Sequence, residues 1–112
     1  MQVSWWVELV VRPDDLDAFE ALTCEMVAAA RAEQGVLAYQ RFISHDRLTV
    51  YVHERYEHSG AAVAHLVKLA ATFGERYGRL IERKRFLVFG NPSDDLRGAT
   101  YHRPFGPFPY WG

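Results

Sequence analysis

From Val3 to Arg12 two sets of side chains alternate: Trp5, Val7, Leu9 and Val11 on one face, Trp6, Glu8, Val10 and Arg12 on the other. A Trp- and Val-rich run stopped by Pro13 predicts a strand, and its two largely apolar faces predict that both are covered. After Pro13 the period changes. Leu16, Phe19, Leu22, Thr23, Met26, Val27 and Ala30 recur at helical spacing, opposite Asp17, Ala21, Glu25 and Ala28. Asp14 and Asp15 are the expected N-cap and negative first turn, and Gly35 the expected stop.

Two further strands are predicted, Val36 to Ser44 and Leu48 to Tyr56, closed into a hairpin by His45-Asp46-Arg47. Ser59 is the expected cap of a second helix, Gly60 to Glu82, with Ala62, Leu66, Leu69, Phe73, Tyr77 and Leu80 as its apolar stripe. Gly74 and Gly78 predict a break or kink near Phe73. Arg83 to Gly90 reads as a last strand, with Phe86 and Val88 opposite Leu87 and Phe89. A short helical turn restarts at Asn91-Pro92-Ser93-Asp94-Asp95.

The order β-α-β-β-α-β predicts an α+β fold of ferredoxin-like type, a four-stranded antiparallel sheet with both helices on one face. The other face stays apolar, so two copies are expected to close sheet against sheet as a homodimer. Residues 1–100 make one domain. Residues 101–112, rich in aromatics and proline, are expected to form an arm packed on the body or on the partner subunit.

Composition narrows the function more than the fold. The 112 residues are 49% hydrophobic and 24% charged, which excludes a disordered chain. A formal net charge of −1 argues against nucleic acid and anionic membrane as partners. The first apolar run is short, lacks a basic flank and is interrupted by Glu8 and Arg12, so a cytoplasmic protein is expected. Cys24 stands alone, without a disulfide partner or a Cys-based zinc cage, and is expected to be an inert, partly buried thiol.

No phosphate-binding glycine loop, Cys-x-x-Cys, His-Glu-x-x-His or nucleophile elbow occurs. His45, His53, His58 and His102 do not share metal-ligand spacing with His65, so no metal is expected. His65 lies at the edge of the second helix's stripe. There it either faces a cavity between helix and sheet as a base, or sits on the helix flank with one hydrogen bond. Glu54 and Tyr56 point to one face with Val50 and Val52. A carboxylate among valines needs a partner, and Arg41 or Arg55 can supply it across the sheet or the dimer. Tyr56 either orients a phenolic or carbonyl substrate or belongs to the core edge.

Several of these segments resemble the antibiotic biosynthesis monooxygenase family, the dimeric α+β barrels, over Val3 to Gly90. They are Glu33-Gln34-Gly35 followed by Tyr39, then Glu54-Arg55-Tyr56-Glu57-His58-Ser59, Ala62 and His65, and Phe86-Leu87-Val88-Phe89-Gly90. Ser93-Asp94-Asp95-Leu96-Arg97 and Pro104-Phe105 are similar to the C-terminal extension of small members. The resemblance implies a homodimer with one pocket per subunit, oxidising a quinol or polycyclic phenol with molecular oxygen and no cofactor. It further implies His65 as base or hydrogen-bond partner, Tyr56 as donor, and Trp5, Phe19, Glu54 and Phe73 as substrate contacts.

Family members that degrade haem use an Asn on the first strand and a Trp and a His on the second helix. Val7, His65 and Glu75 stand at those positions, which argues against that activity. Relatives that isomerise small phosphorylated molecules want a basic pocket, and no inward cluster of Arg and Lys is expected here. An isomerase or other proton-transfer enzyme using His65, and a non-catalytic binder of a hydrophobic metabolite, remain the alternatives.

Overall fold

A computed structural model describes residues 2–101. The elements run β1 (Val3–Val10), α1 (Leu16–Arg31), β2 (Val36–Ile43), β3 (Thr49–Tyr56), α2 (Ser59–Leu80), β4 (Glu82–Gly90) and α3 (Asp94–Tyr101). The sheet is antiparallel in the order β2-β3-β1-β4, the expected ferredoxin-like arrangement. The arm expected beyond α3 lies outside the described residues.

Alternation sets which side chains enter the interior. Val3, Trp5, Val7 and Leu9 of β1 and Val50, Val52, Glu54 and Tyr56 of β3 are buried beneath the helices. Phe19, Leu22, Met26 and Ala30 of α1 and Ala62, His65 and Leu69 of α2 meet them from above. On the opposite face Trp6 stacks on His53, ring centroids 4.5 Å apart, and on Phe42. Phe42, Tyr51 and Phe89 are exposed there. Burial, with the Arg55 cation adding to it, holds the His53 imidazole below its usual pKa.

Several local expectations give way to specific contacts. Pro13 opens a single 3-10 turn, so α1 starts at Leu16, and Asp15 makes no capping bond because its carboxylate accepts from Arg12 Nε at 2.9 Å. Ser59 is not the cap of α2. His58 is extended, and its Nδ1 accepts from Ala61 N at 3.0 Å, while Ser59 Oγ accepts from Ser93 N. The break expected near Phe73 is absent: α2 runs unbroken for 22 residues. Each helical glycine costs about 1 kcal/mol, and the packed stripe of Leu66, Leu69, Tyr77 and Leu80 outweighs that. Cys24 is exposed rather than partly buried, because it lies just off the face α1 turns inward.

Two register slips re-aim side chains. In β2, Val36 faces Tyr56 but Ala38 faces Arg55, which leaves Leu37 as an extra residue. In β4, Glu8 faces Arg85 but Leu9 faces Arg83, which leaves Lys84 extra. Leu9 is an inward residue, so the second slip turns Arg83 inward as well.

Candidate active site

α1 ends at Arg31, and a turn follows in which Gly35 has a φ of +85°. Only glycine fits this turn comfortably, and a Cβ on Gly35 would come within 2.6 Å of the Ala61 methyl carbon. The turn therefore rests directly on the first turn of α2. This contact brings Glu33 over His65, one helical turn beyond Ala61.

His65 Nδ1 and Glu33 Oε2 are 3.0 Å apart, with both side chains at least nine-tenths buried. A carboxylate only accepts, so this bond places the Nδ1 proton on the imidazole. The ring's other nitrogen, Nε2, is 3.5 Å from Glu54 Oε1. That is an ion-pair distance, without hydrogen-bond geometry, so Nε2 has no hydrogen-bond partner. Tyr56 donates its hydroxyl to Glu54 Oε1 at 2.5 Å, and Arg41 Nη2 meets Glu54 Oε2 at 3.4 Å. The Arg41 guanidinium also lies 3.9 Å over the Tyr39 ring, which stands edge-on to His65. Glu33, His65, Glu54 and Arg41 thus form one buried row of alternating acid and base.

Burial pushes the Tyr56 phenol far above its ordinary pKa, and the Glu54 charge adds to the shift. Tyr39 moves up for the same two reasons. Burial alone would lower Arg41, but the Glu54 carboxylate and the neighbouring tyrosines Tyr39, Tyr77 and Tyr56 together more than offset it and hold the guanidinium above its usual value. A raised folded-state pKa keeps the proton on both phenols after the unfolded chain has begun to lose it near pH 10. Stability is therefore fully present below pH 10 and falls above it, by about 1.4 kcal/mol per pH unit for each phenol. Denaturant midpoints measured from pH 9 upward are expected to show this slope, and Tyr56→Phe to reduce it.

Three spaces adjoin the row. An outer cleft of about 260 Å³ between the end of α1, α2 and β2 is lined by Glu33, Tyr39, His65, Leu69 and Phe73, among others. An inner cavity of about 50 Å³ lies on the β1/β4 side, with Trp5, Glu54, Tyr77 and Arg83 in its walls. A groove between α1 and β2 contains Phe19 and Arg41. The structure thus gathers Glu54, Tyr56 and His65 into one cluster, with Trp5 packed on Tyr56 at 5.0 Å. Phe73 borders the cleft that His65 faces. Phe19 stands apart, stacked on Tyr77 beside the α1/β2 groove.

No inward cluster of Arg and Lys was expected; two arginines reach the interior separately, Arg41 beside Glu54 and Arg83 in the wall of the inner cavity. Among the described residues, no group of three or more His, Cys, Asp or Glu is placed to hold a metal. No helix among them is long and apolar enough to cross a membrane.

The family profile described as antibiotic biosynthesis monooxygenase matches residues 6–68, more than half of the chain. The chain belongs to that family. No curated protein matches it, but solved structures do. MupZ from Pseudomonas fluorescens has a similar fold at a TM-score of 0.76 and 23% identity, over 87% of this chain and 79% of its own. Rv0793 from Mycobacterium tuberculosis is 28% identical, with a TM-score of 0.63 over 84% of this chain and 97% of its own. A mutant of SnoaB from Streptomyces nogalater, described as a cofactor-independent oxygenase, reaches 0.69 at 12% identity, covering 80% and 91%. At such identity MupZ and SnoaB share the fold. In this antibiotic biosynthesis monooxygenase homologue the matched segment includes the whole row from Glu33 to His65.

Proposed function

We propose that this protein is a cofactor-independent, cytoplasmic monooxygenase that converts a small phenol or quinol to a quinone with molecular oxygen, working as a homodimer. One observation carries the reading: His65, oriented by Glu33, lines a cleft that can hold an aromatic ring, and its Nε2 is buried beside Glu54 without a hydrogen-bond partner. A cavity of about 150 Å³ accommodates benzene. The cleft, at about 260 Å³, therefore takes one substituted ring or two fused rings, and the four-ring end of the polycyclic range exceeds it.

The substrate itself is the reductant. His65 Nε2 takes the phenolic proton, and the electron-rich phenolate gives one electron to dioxygen, forming a phenoxyl radical and superoxide. The two radicals couple at a ring carbon to give a peroxide. Loss of that carbon's proton with cleavage of the O–O bond leaves the quinone carbonyl, and the second oxygen departs as water with the two protons. One phenol and one dioxygen thus give one quinone and one water. The apolar walls around the row keep bulk water from the intermediate.

Oxygen-electrode assays with a panel of one- and two-ring phenols and hydroquinones test this, with one quinone expected per dioxygen consumed. No oxygen uptake with any electron-rich phenol would sink the proposal. The inward turn of Arg83 favours a second reading, a proton-transfer enzyme acting on an anionic substrate, which would form product without consuming oxygen. Dimerisation has its own check. The exposed Trp6, Phe42, Tyr51 and Phe89 predict a dimeric mass at micromolar concentration, and Trp6→Glu is expected to shift it to monomer.

A further inference from the structure

The outer cleft leaves the inner cavity without a task. At about 50 Å³ it is a third of the volume that benzene needs, yet several times the minimum for one small molecule. Its walls are mainly apolar, from Trp5, Val7, Leu9, Leu66 and Phe86. Apolar cavities favour uncharged, weakly solvated guests over water. One cation interrupts them, Arg83, which is present only because β4 slips by one residue opposite Leu9. Leu69 lines this cavity and the outer cleft alike, so the two spaces meet at its side chain.

The geometry points to the inner cavity as a dioxygen-binding site, an assignment that rests on the monooxygenase reading above. Size excludes the aromatic substrate, and the apolar walls suit a neutral diatomic. Transfer of one electron from the phenolate in the cleft turns dioxygen into an anion, superoxide, and leaves a phenoxyl radical. The Arg83 guanidinium meets that new charge where it forms. Glu54, the anion in the same wall, is already engaged by Arg41 and the Tyr56 hydroxyl. Superoxide then passes Leu69 to bond to the ring.

Dioxygen is paramagnetic, so the full-length protein can report its position directly. Methyl relaxation measured under oxygen pressure, without substrate, is expected to be enhanced several-fold more at Val7, Leu9 and Leu66 than at Val3 and Val52. Val3 and Val52, each 1% exposed, match Leu9 at 0% and border none of the three spaces, so Leu9 against these two is the deciding comparison; Val7 at 7% and the partly buried Leu66 support it. Val7→Leu, or Leu66→Phe if the first variant folds poorly, is expected to remove the excess and to raise KM for oxygen. Equal enhancement at all five residues in the parent protein would overturn the site. Arg83→Met is expected to lower kcat with the relaxation map unchanged, by on the order of 10²-fold; unaltered kcat would overturn the role given to Arg83. If no phenol is oxidised, the proposed function fails, while the relaxation map still decides what the cavity holds.

Discussion

Replacing Arg41 with methionine is expected to destabilise the fold by about 3–5 kcal/mol, the usual result of leaving one partner of a buried ion pair alone. Methionine keeps much of the apolar stem, so the loss isolates the charge. In the parent chain the Arg41 and Glu54 side chains are 8% and 7% exposed, and they face each other as a pair. Without the guanidinium, Glu54 keeps a hydroxyl from Tyr56 and faces the second carboxylate, Glu33, across His65. Urea denaturation near neutral pH would measure the deficit. Adding Glu54→Gln is expected to restore most of it, because an amide needs no counter-charge and still accepts from Tyr56. A loss below about 1 kcal/mol would show that the pair behaves like an exposed one.

That row was partly legible in the sequence, and its gaps have physical causes. Strand alternation is strict between Val50 and Tyr56, so Glu54 and Tyr56 could be placed inside, and a buried carboxylate called for an arginine such as Arg41. Tyr39 shares a face with Arg41 by the same rule, two residues earlier. Glu33 was harder, because it lies past the end of α1, where periodicity gives no direction. A signal exists nonetheless: Glu33 continues the Met26–Ala30 face at helical spacing, and Gly35 marks the turn that presses it onto α2. Arg83 was invisible, since alternation from Phe86 and Val88 puts residue 83 outside unless the strand slips. The cap at His58 failed for a related reason. Propensity favours serine at an N-cap, but the extended backbone at residue 58 brings an imidazole to the same amide.

Replacing His65 with alanine is expected to reduce kcat/KM by about 10²–10⁴-fold, the range that a positioned general base contributes. The variant also leaves Glu33 and Glu54 facing one another across an empty site, so stability must be measured beside activity. His65→Gln fills more of that space and separates the effects. It should recover stability but not turnover, because an amide cannot take the phenolic proton. Glu33→Gln addresses orientation rather than basicity. It keeps an acceptor for the Nδ1 proton but removes the charge, so activity should fall less, with a changed pH profile. In the His65→Ala background the same change should add almost nothing to the kinetic loss, since Glu33 acts through His65. A binding protein would behave differently: His65→Ala would alter ligand affinity alone, and no variant would change product formation. Full turnover in a folded His65→Ala protein would remove the histidine from the chemistry and leave Glu54 and Tyr56 as the groups to test.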